Sequence, residues 1–290
     1  MSADSIALSI TGKPKDIGGF EVRRLLPVAR CRSVGAFVFL DHMGPTTLKA
    51  GEGIDVLPHP HIGLATVTYL FEGAILHRDS LGTVQEIFPG DVNLMTAGRG
   101  IVHSERSSEE TRSKDRDVHG LQMWVALPKE HEEIRPVFSH TPKSALPDLK
   151  GEGWHGRLVV GSLFGKTSPV ETMNRYFFVD LRLEAGVSIP FAPDYDEAAV
   201  YVVDGELDID GAIVGAGTLA VLEKKPNVLL TSRQEATFVV LGGDALPEPR
   251  FMYWNFVSTR KERIERAKED WRGQRFDRVP GETSFVLLPE

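Results

Sequence analysis

The sequence predicts an all-β fold: two similar barrels in tandem, with one short helix near the C-terminus. Three observations carry this expectation. Short apolar runs rich in β-branched and aromatic residues recur between Gly, Pro, Asp and Asn turns, the pattern of a sandwich or barrel rather than of alternating βαβ units. A stretch of the first half reappears in the second: Thr66–Gly73 resembles Ala198–Gly205, with Tyr69 matching Tyr201 and Gly73 matching Gly205. Only Thr259–Arg272 reads as a convincing helix.

The clearest strands, in order, are Ala36–Leu40, Ala65–Phe71, Gly120–Ala126, Arg157–Val160, Tyr176–Leu183 and Ala199–Val203. Pro89-Gly90-Asp91 and Ala216-Gly217-Thr218 extend the repeat at a slightly smaller offset, so the second copy carries a shorter hairpin. The joint between copies falls in the Pro-rich stretch Pro128–Pro147, which divides the chain into a first domain, residues 1–135, and a second, residues 136–290. In the terminal helix, Thr259 is expected to cap and Glu262 to complete a capping box, with Ile264, Ala267 and Trp271 forming one apolar side.

At 290 residues and 41% hydrophobic content the chain can bury a sizeable core. A net charge of −8 argues against direct nucleic-acid binding. Cys31 is the lone cysteine, so no intrachain disulfide forms. Met1–Lys15 contains no long apolar segment and no run is long enough to span a membrane, so a cytoplasmic protein is expected. No P-loop, dinucleotide fingerprint or nucleophile elbow is present.

Two short pairs carry the chemistry: His59-Pro60-His61 and His103-Ser104-Glu105. Residues i and i+2 of a strand project from one face. If the two strands lie side by side in a barrel, three imidazoles and one carboxylate converge on a divalent metal. Gly98 and Gly100 permit a tight turn before the second pair. Such donors suit several transition ions, and the residues alone leave the metal open. An offset of 132 carries His59 and His61 onto Phe191 and Pro193, and an offset of 127 carries His103 and Glu105 onto Leu230 and Ser232. None of these is a good ligand, so only the first barrel is expected to bind metal.

The segments Gly19–Pro27, Val38–Pro45, Pro58–Gly73, His77–Gly82, Pro89–Asp91, Met95–Arg106 and His119–Val125 resemble the pirin family of the cupin superfamily. The resemblance implies two cupin (jelly-roll) barrels, with a metal, usually Fe(II), in the first; Zn, Mn, Ni, Co and Cu are the other candidates. Carried over, its ligands fall on His59, His61, His103 and Glu105. A general cupin places a glutamate shortly after the paired histidines. Here Leu64-Ala65-Thr66 has no carboxylate, which leaves Glu105 as the anionic ligand.

The resemblance further implies either of two functions. One is a quercetin 2,3-dioxygenase that opens the heterocycle of a flavonol, a small aromatic chelating substrate, with Glu105 as general base. The other is a non-enzymatic, redox-sensing metal protein that regulates a transcription factor or metabolic enzyme through protein contact. Phe37, Phe39, Met43, Met123 and Trp124 are candidate pocket walls or core. His77 and Asp79 read as turn residues, and Arg99 and Arg106 as solvated arginines.

Overall fold

The computed structural model describes residues 5–17 and 20–290; residues 1–4 of the N-terminal stretch and Gly19, which opens the first resembling segment, lie outside them. The chain forms two compact units. One gathers residues 5–13, 25–38 and 144–246; the other gathers 14–17, 20–24, 39–143 and 247–290. Among the described residues, no helix is long and apolar enough to cross a membrane.

The first barrel pairs two sheets. Its larger sheet centres on Leu64–Glu72, flanked by Val92–Thr96 and Arg116–Ala126, with Phe37–Leu48 beyond. Its smaller sheet runs Asp55–His61, Ile101–Arg106, Ile75–Asp79, Val84–Ile87. The second barrel repeats this plan. Glu197–Asp204 lies between Thr218–Leu222 and Ala236–Gly243, and the smaller sheet runs Ser188–Phe191, Val228–Ser232, Glu206–Ile209, Ala212–Gly215. The repeat read from sequence is therefore a repeat of topology. Its paired glycines share a conformation: Gly73 and Gly205 have φ of 86° and 79°, and Gly90 and Gly217 have 85° and 79°, a region open to Gly at no steric cost.

Strand register corrects one part of the alignment. His103 stands opposite His59, and Leu230 stands opposite Ile189. His59 thus corresponds to Ile189, and His61 to Phe191, two residues short of the offset of 132. The second copy is therefore two residues longer between Phe191 and Tyr201 than the first is between His61 and Tyr69, ahead of its shorter hairpin. The corresponding residues Ile189, Phe191 and Leu230 are all buried in the apolar core of the second barrel.

The terminal helix spans Lys261–Arg272 and buries Ile264, Ala267 and Trp271, as its apolar side predicts. The expected cap does not form. Arg260 is the N-cap residue and makes no side-chain capping bond. The Thr259 amide and hydroxyl donate instead to the buried carboxylate of Glu132, at 2.8 and 3.2 Å, and Ser258 donates to it at 2.8 Å. A desolvated carboxylate needs donors more than an exposed helix end does, so it takes the hydroxyl that would have capped.

Candidate metal centre

The Asp55–His61 and Ile101–Arg106 strands lie antiparallel and adjacent, with His103 directly opposite His59. Between His103 and Glu105 the register shifts, so Glu105 stands opposite Val56. This bulge leaves the Leu57 carbonyl free to accept a hydrogen bond from His59 Nδ1–H at 2.8 Å. A carbonyl can only accept, so the proton is on Nδ1 and the lone pair of His59 is on Nε2. Gly98, at φ 50°, makes the turn that feeds the second strand; a Cβ there would sit 2.2 Å from the Ile134 carbonyl oxygen.

Among the described residues, His59, His61 and His103 form a cluster whose candidate ligand atoms all lie within 4.8 Å of one another. All three are buried. Their ring centroids are 4.4 to 5.0 Å apart. His61 Nε2 and His103 Nε2 are 3.0 Å apart. Two nitrogens each about 2.1 Å from one ion, at a right angle, would be separated by about 3.0 Å. Glu105 is outside this cluster of nitrogens but shares the His103 face by strand alternation. It is half-buried, no side-chain hydrogen bond or ion pair holds it among the described residues, and desolvation pushes its carboxyl up to about 7.

Burial pushes His59 down to about 4, against the Leu57 hydrogen bond that favours its charged form. His61 and His103 are pushed well below the ordinary range, first by burial and then by the neighbouring imidazoles. Three neutral imidazoles gathered in this way fit a divalent transition cation, which would bind their nitrogen lone pairs.

The same burial sets a pH dependence in the metal-free protein. The unfolded chain protonates its histidines near ~6.5, whereas the folded chain holds these three neutral to lower pH. Their stabilisation is complete above about pH 6.5 and is lost as pH falls toward 4, at up to ~1.4 kcal/mol per pH unit per group. Glu105 works in the opposite direction, since the folded state takes up its proton first, and offsets about one of the three. Urea unfolding of metal-free protein should therefore show a clearly lower midpoint at about pH 5.5 than at about pH 7. Equal midpoints would contradict this electrostatic picture.

Around the cluster, Trp124 stands edge-on to His61 at 5.2 Å and stacks on Phe39 at 3.8 Å. The Arg24 guanidinium lies 4.5 Å over the Phe39 ring and makes two hydrogen bonds to the buried Asp41 carboxylate. These two of the candidate pocket walls lie by the cluster. Met43 packs in a separate apolar group with Leu70 and Val118, and Phe37 packs on Tyr176. Arg106 is not a freely solvated arginine: Glu282 accepts from its Nε and Nη2 at 2.8 and 2.7 Å, and Ser104 donates to the same carboxylate at 3.1 Å.

His77 and Asp79 exceed the turn role read from sequence. Asp79 does cap its turn, accepting from the Leu81 and Thr83 amides at 2.9 and 3.0 Å. It also accepts from His77 Nε2 at 3.1 Å, and His77 Nδ1 lies 3.3 Å from His103 Nδ1. Burial pushes the Asp79 carboxyl up, but its hydrogen bonds outweigh this and hold it below its ordinary value.

Comparison with known proteins agrees along the whole chain. The Pirin family model matches residues 19–125, and the model of the Pirin C-terminal cupin domain matches residues 178–277. A pirin-like protein of Caulobacter vibrioides is 45% identical, over 98% of this chain and 100% of its own length. Among solved structures, a quercetin 2,3-dioxygenase from Acinetobacter baumannii superposes with a TM-score of 0.91 at 32% identity, covering 98% of this chain and 95% of that one. A bacterial pirin from Escherichia coli, solved in complex with nickel(II), superposes with a TM-score of 0.64 at 17% identity, covering 82% and 99%, and shows the shared fold.

Proposed function

The chain belongs to the pirin family, and from that premise we propose that it is an iron-dependent quercetin 2,3-dioxygenase, with its ion held by His59, His61, His103 and Glu105. One observation carries the reading: three buried imidazoles meet within 4.8 Å of one another, and the strand that carries His103 presents Glu105 on the same face. The similarity to the Acinetobacter baumannii dioxygenase over nearly the full chain supports the substrate class. Nickel, zinc, manganese, cobalt and copper also suit these donors, and iron(II) is the proposal among them. The lone Cys31 accords with a reducing, cytoplasmic setting.

When bound, the ion supplies a Lewis acid to a chelating hydroxyl–carbonyl pair and a path for electrons to dioxygen. The chain supplies the rest. Glu105 would accept the flavonol 3-hydroxyl proton as general base. The Trp124–Phe39 stack offers an aromatic wall to a flat substrate. Arg24, fixed by Asp41, lies over the far side of the Phe39 ring and holds that wall in place.

Carbon monoxide release from quercetin under oxygen tests the reading, with metal content measured in the same samples. Wild-type protein at full iron occupancy should turn over with saturation kinetics. Glu105→Ala should lose roughly 10²- to 10⁴-fold in kcat at matched occupancy. Wild-type turnover from that variant would remove Glu105 from its role. No carbon monoxide from fully loaded wild type across a panel of flavonols would favour a metal protein that acts through protein contact.

A further inference from the structure

We infer that His77 and Asp79 form a positioning pair that fixes which nitrogen of His103 faces the ion. The inference rests on the proposed metal site and concerns two residues outside its ligand set. Asp79 is fully buried and His77 nearly so. The His77 ring stacks on Phe138 at 4.4 Å and 22°, which restricts its rotation.

The proton positions follow in sequence from the carboxylate. An ionised carboxylate only accepts, so His77 Nε2 carries a proton and donates it to Asp79 Oδ2. A neutral imidazole then has its lone pair on Nδ1, which faces His103 Nδ1 at 3.3 Å. His103 must therefore carry its own proton on Nδ1 and donate it to His77. That leaves the His103 lone pair on Nε2, the atom lying 3.0 Å from His61 Nε2. A partner on the far nitrogen of a metal-binding histidine selects both tautomer and ring orientation.

The second barrel is an internal control. Glu105 stands opposite His77 and His103 opposite Asp79; at the same register Ser232 stands opposite Leu207 and Leu230 opposite Ile209. Where the ligand positions have become Ile189, Phe191 and Leu230, the positions of the pair have become Leu207 and Ile209, all packed in one core. A turn role for Asp79 gives no reason for His77 to be absent together with the ligands. A role toward the ligands does.

Asp79→Asn tests the chain of donors. The Leu81 and Thr83 amides pin the Oδ1 position, so the new amide group must turn its NH₂ toward His77 Nε2. Two donors then meet, and His77 is driven to carry its proton on Nδ1, against the Nδ1–H of His103. Cobalt(II) affinity, measured by chelator competition, should fall about 10- to 100-fold. Nitrogen-15 spectra of the metal-free protein should place the His77 proton on Nε2 in wild type and on Nδ1 in the variant. His77→Phe keeps the stack on Phe138 and removes the acceptor, and should also weaken cobalt binding about tenfold or more. It provides the test if the asparagine variant folds poorly. Cobalt binding within about twofold of wild type in both variants, or an unchanged His77 nitrogen pattern in Asp79→Asn, overturns the inference alone. Failure of wild type to bind cobalt overturns the metal reading, and the inference with it.

Discussion

Replacing His103 by alanine is expected to strip the protein of its metal while leaving the metal-free fold in place. His103 is the hub of the cluster: its Nε2 meets His61 Nε2 at 3.0 Å, its ring lies 4.4 Å from His59, and its Nδ1 meets His77. A four-ligand zinc site contributes an apparent ~10–16 kcal/mol, or about 3 kcal/mol per ligand, so losing one ligand weakens binding about 100-fold. Metal content after desalting, together with the far-ultraviolet circular dichroism of metal-free protein, checks the expectation. A variant that retains one tightly held equivalent of metal would contradict it.

Trp271→Ala should be the most destabilising single change in the terminal segment. Trp271 is 4% exposed and packs in a cluster with Ile62, Val102, Phe256, Ile264 and Val279. Phe276 and Phe285 meet its ring edge-on at 5.8 and 5.6 Å. Its indole N–H donates to the Val286 carbonyl at 3.0 Å, and the Val286 amide donates to the Pro58 carbonyl at 2.9 Å. Truncating so large a buried side chain costs about 3–5 kcal/mol in lost burial plus the cavity left behind. The effect should reach the metal, because Ile62 and Val102 adjoin His61 and His103 in sequence and pack against the helix with their outward faces. Urea unfolding of the metal-free protein should show the loss, and chelator competition should show weaker retention of metal. A destabilisation below about 1 kcal/mol would mean that the helix does not brace these strands.

The strands were legible in the sequence because period and punctuation agreed locally. Tyr176–Leu183 opens on three aromatic residues and a valine and then alternates Asp180 and Arg182 with leucines, and the structure places the strand between the same two residues. His59, His61 and His103 were legible because a spacing of two on a strand is itself a geometric statement, and the antiparallel pairing of His59 with His103 gathers the three rings, with Glu105 outside that cluster. What escaped notice depended on partners distant in the chain. Thr259 was expected to cap a helix, but Glu132 accepts its hydrogen bonds from more than a hundred residues away. His77 and Asp79 have the composition of a hairpin turn, and half of their role is a turn. The other half needs His103, brought alongside only by the pairing of the Ile75–Asp79 and Ile101–Arg106 strands. A signal was available: aligned by register, the second copy exchanges every polar residue of this face except Glu105, which becomes Ser232, for an apolar one.

An anomalous-difference map, collected at the metal edge from crystals of wild-type protein loaded with iron(II), tests the central claim most directly. One strong peak is expected among the Nε2 atoms of His59, His61 and His103, within bonding distance of a Glu105 carboxylate oxygen, and it should disappear in His103→Ala crystals. A peak at any other place, or none among these three rings at full loading, would contradict it.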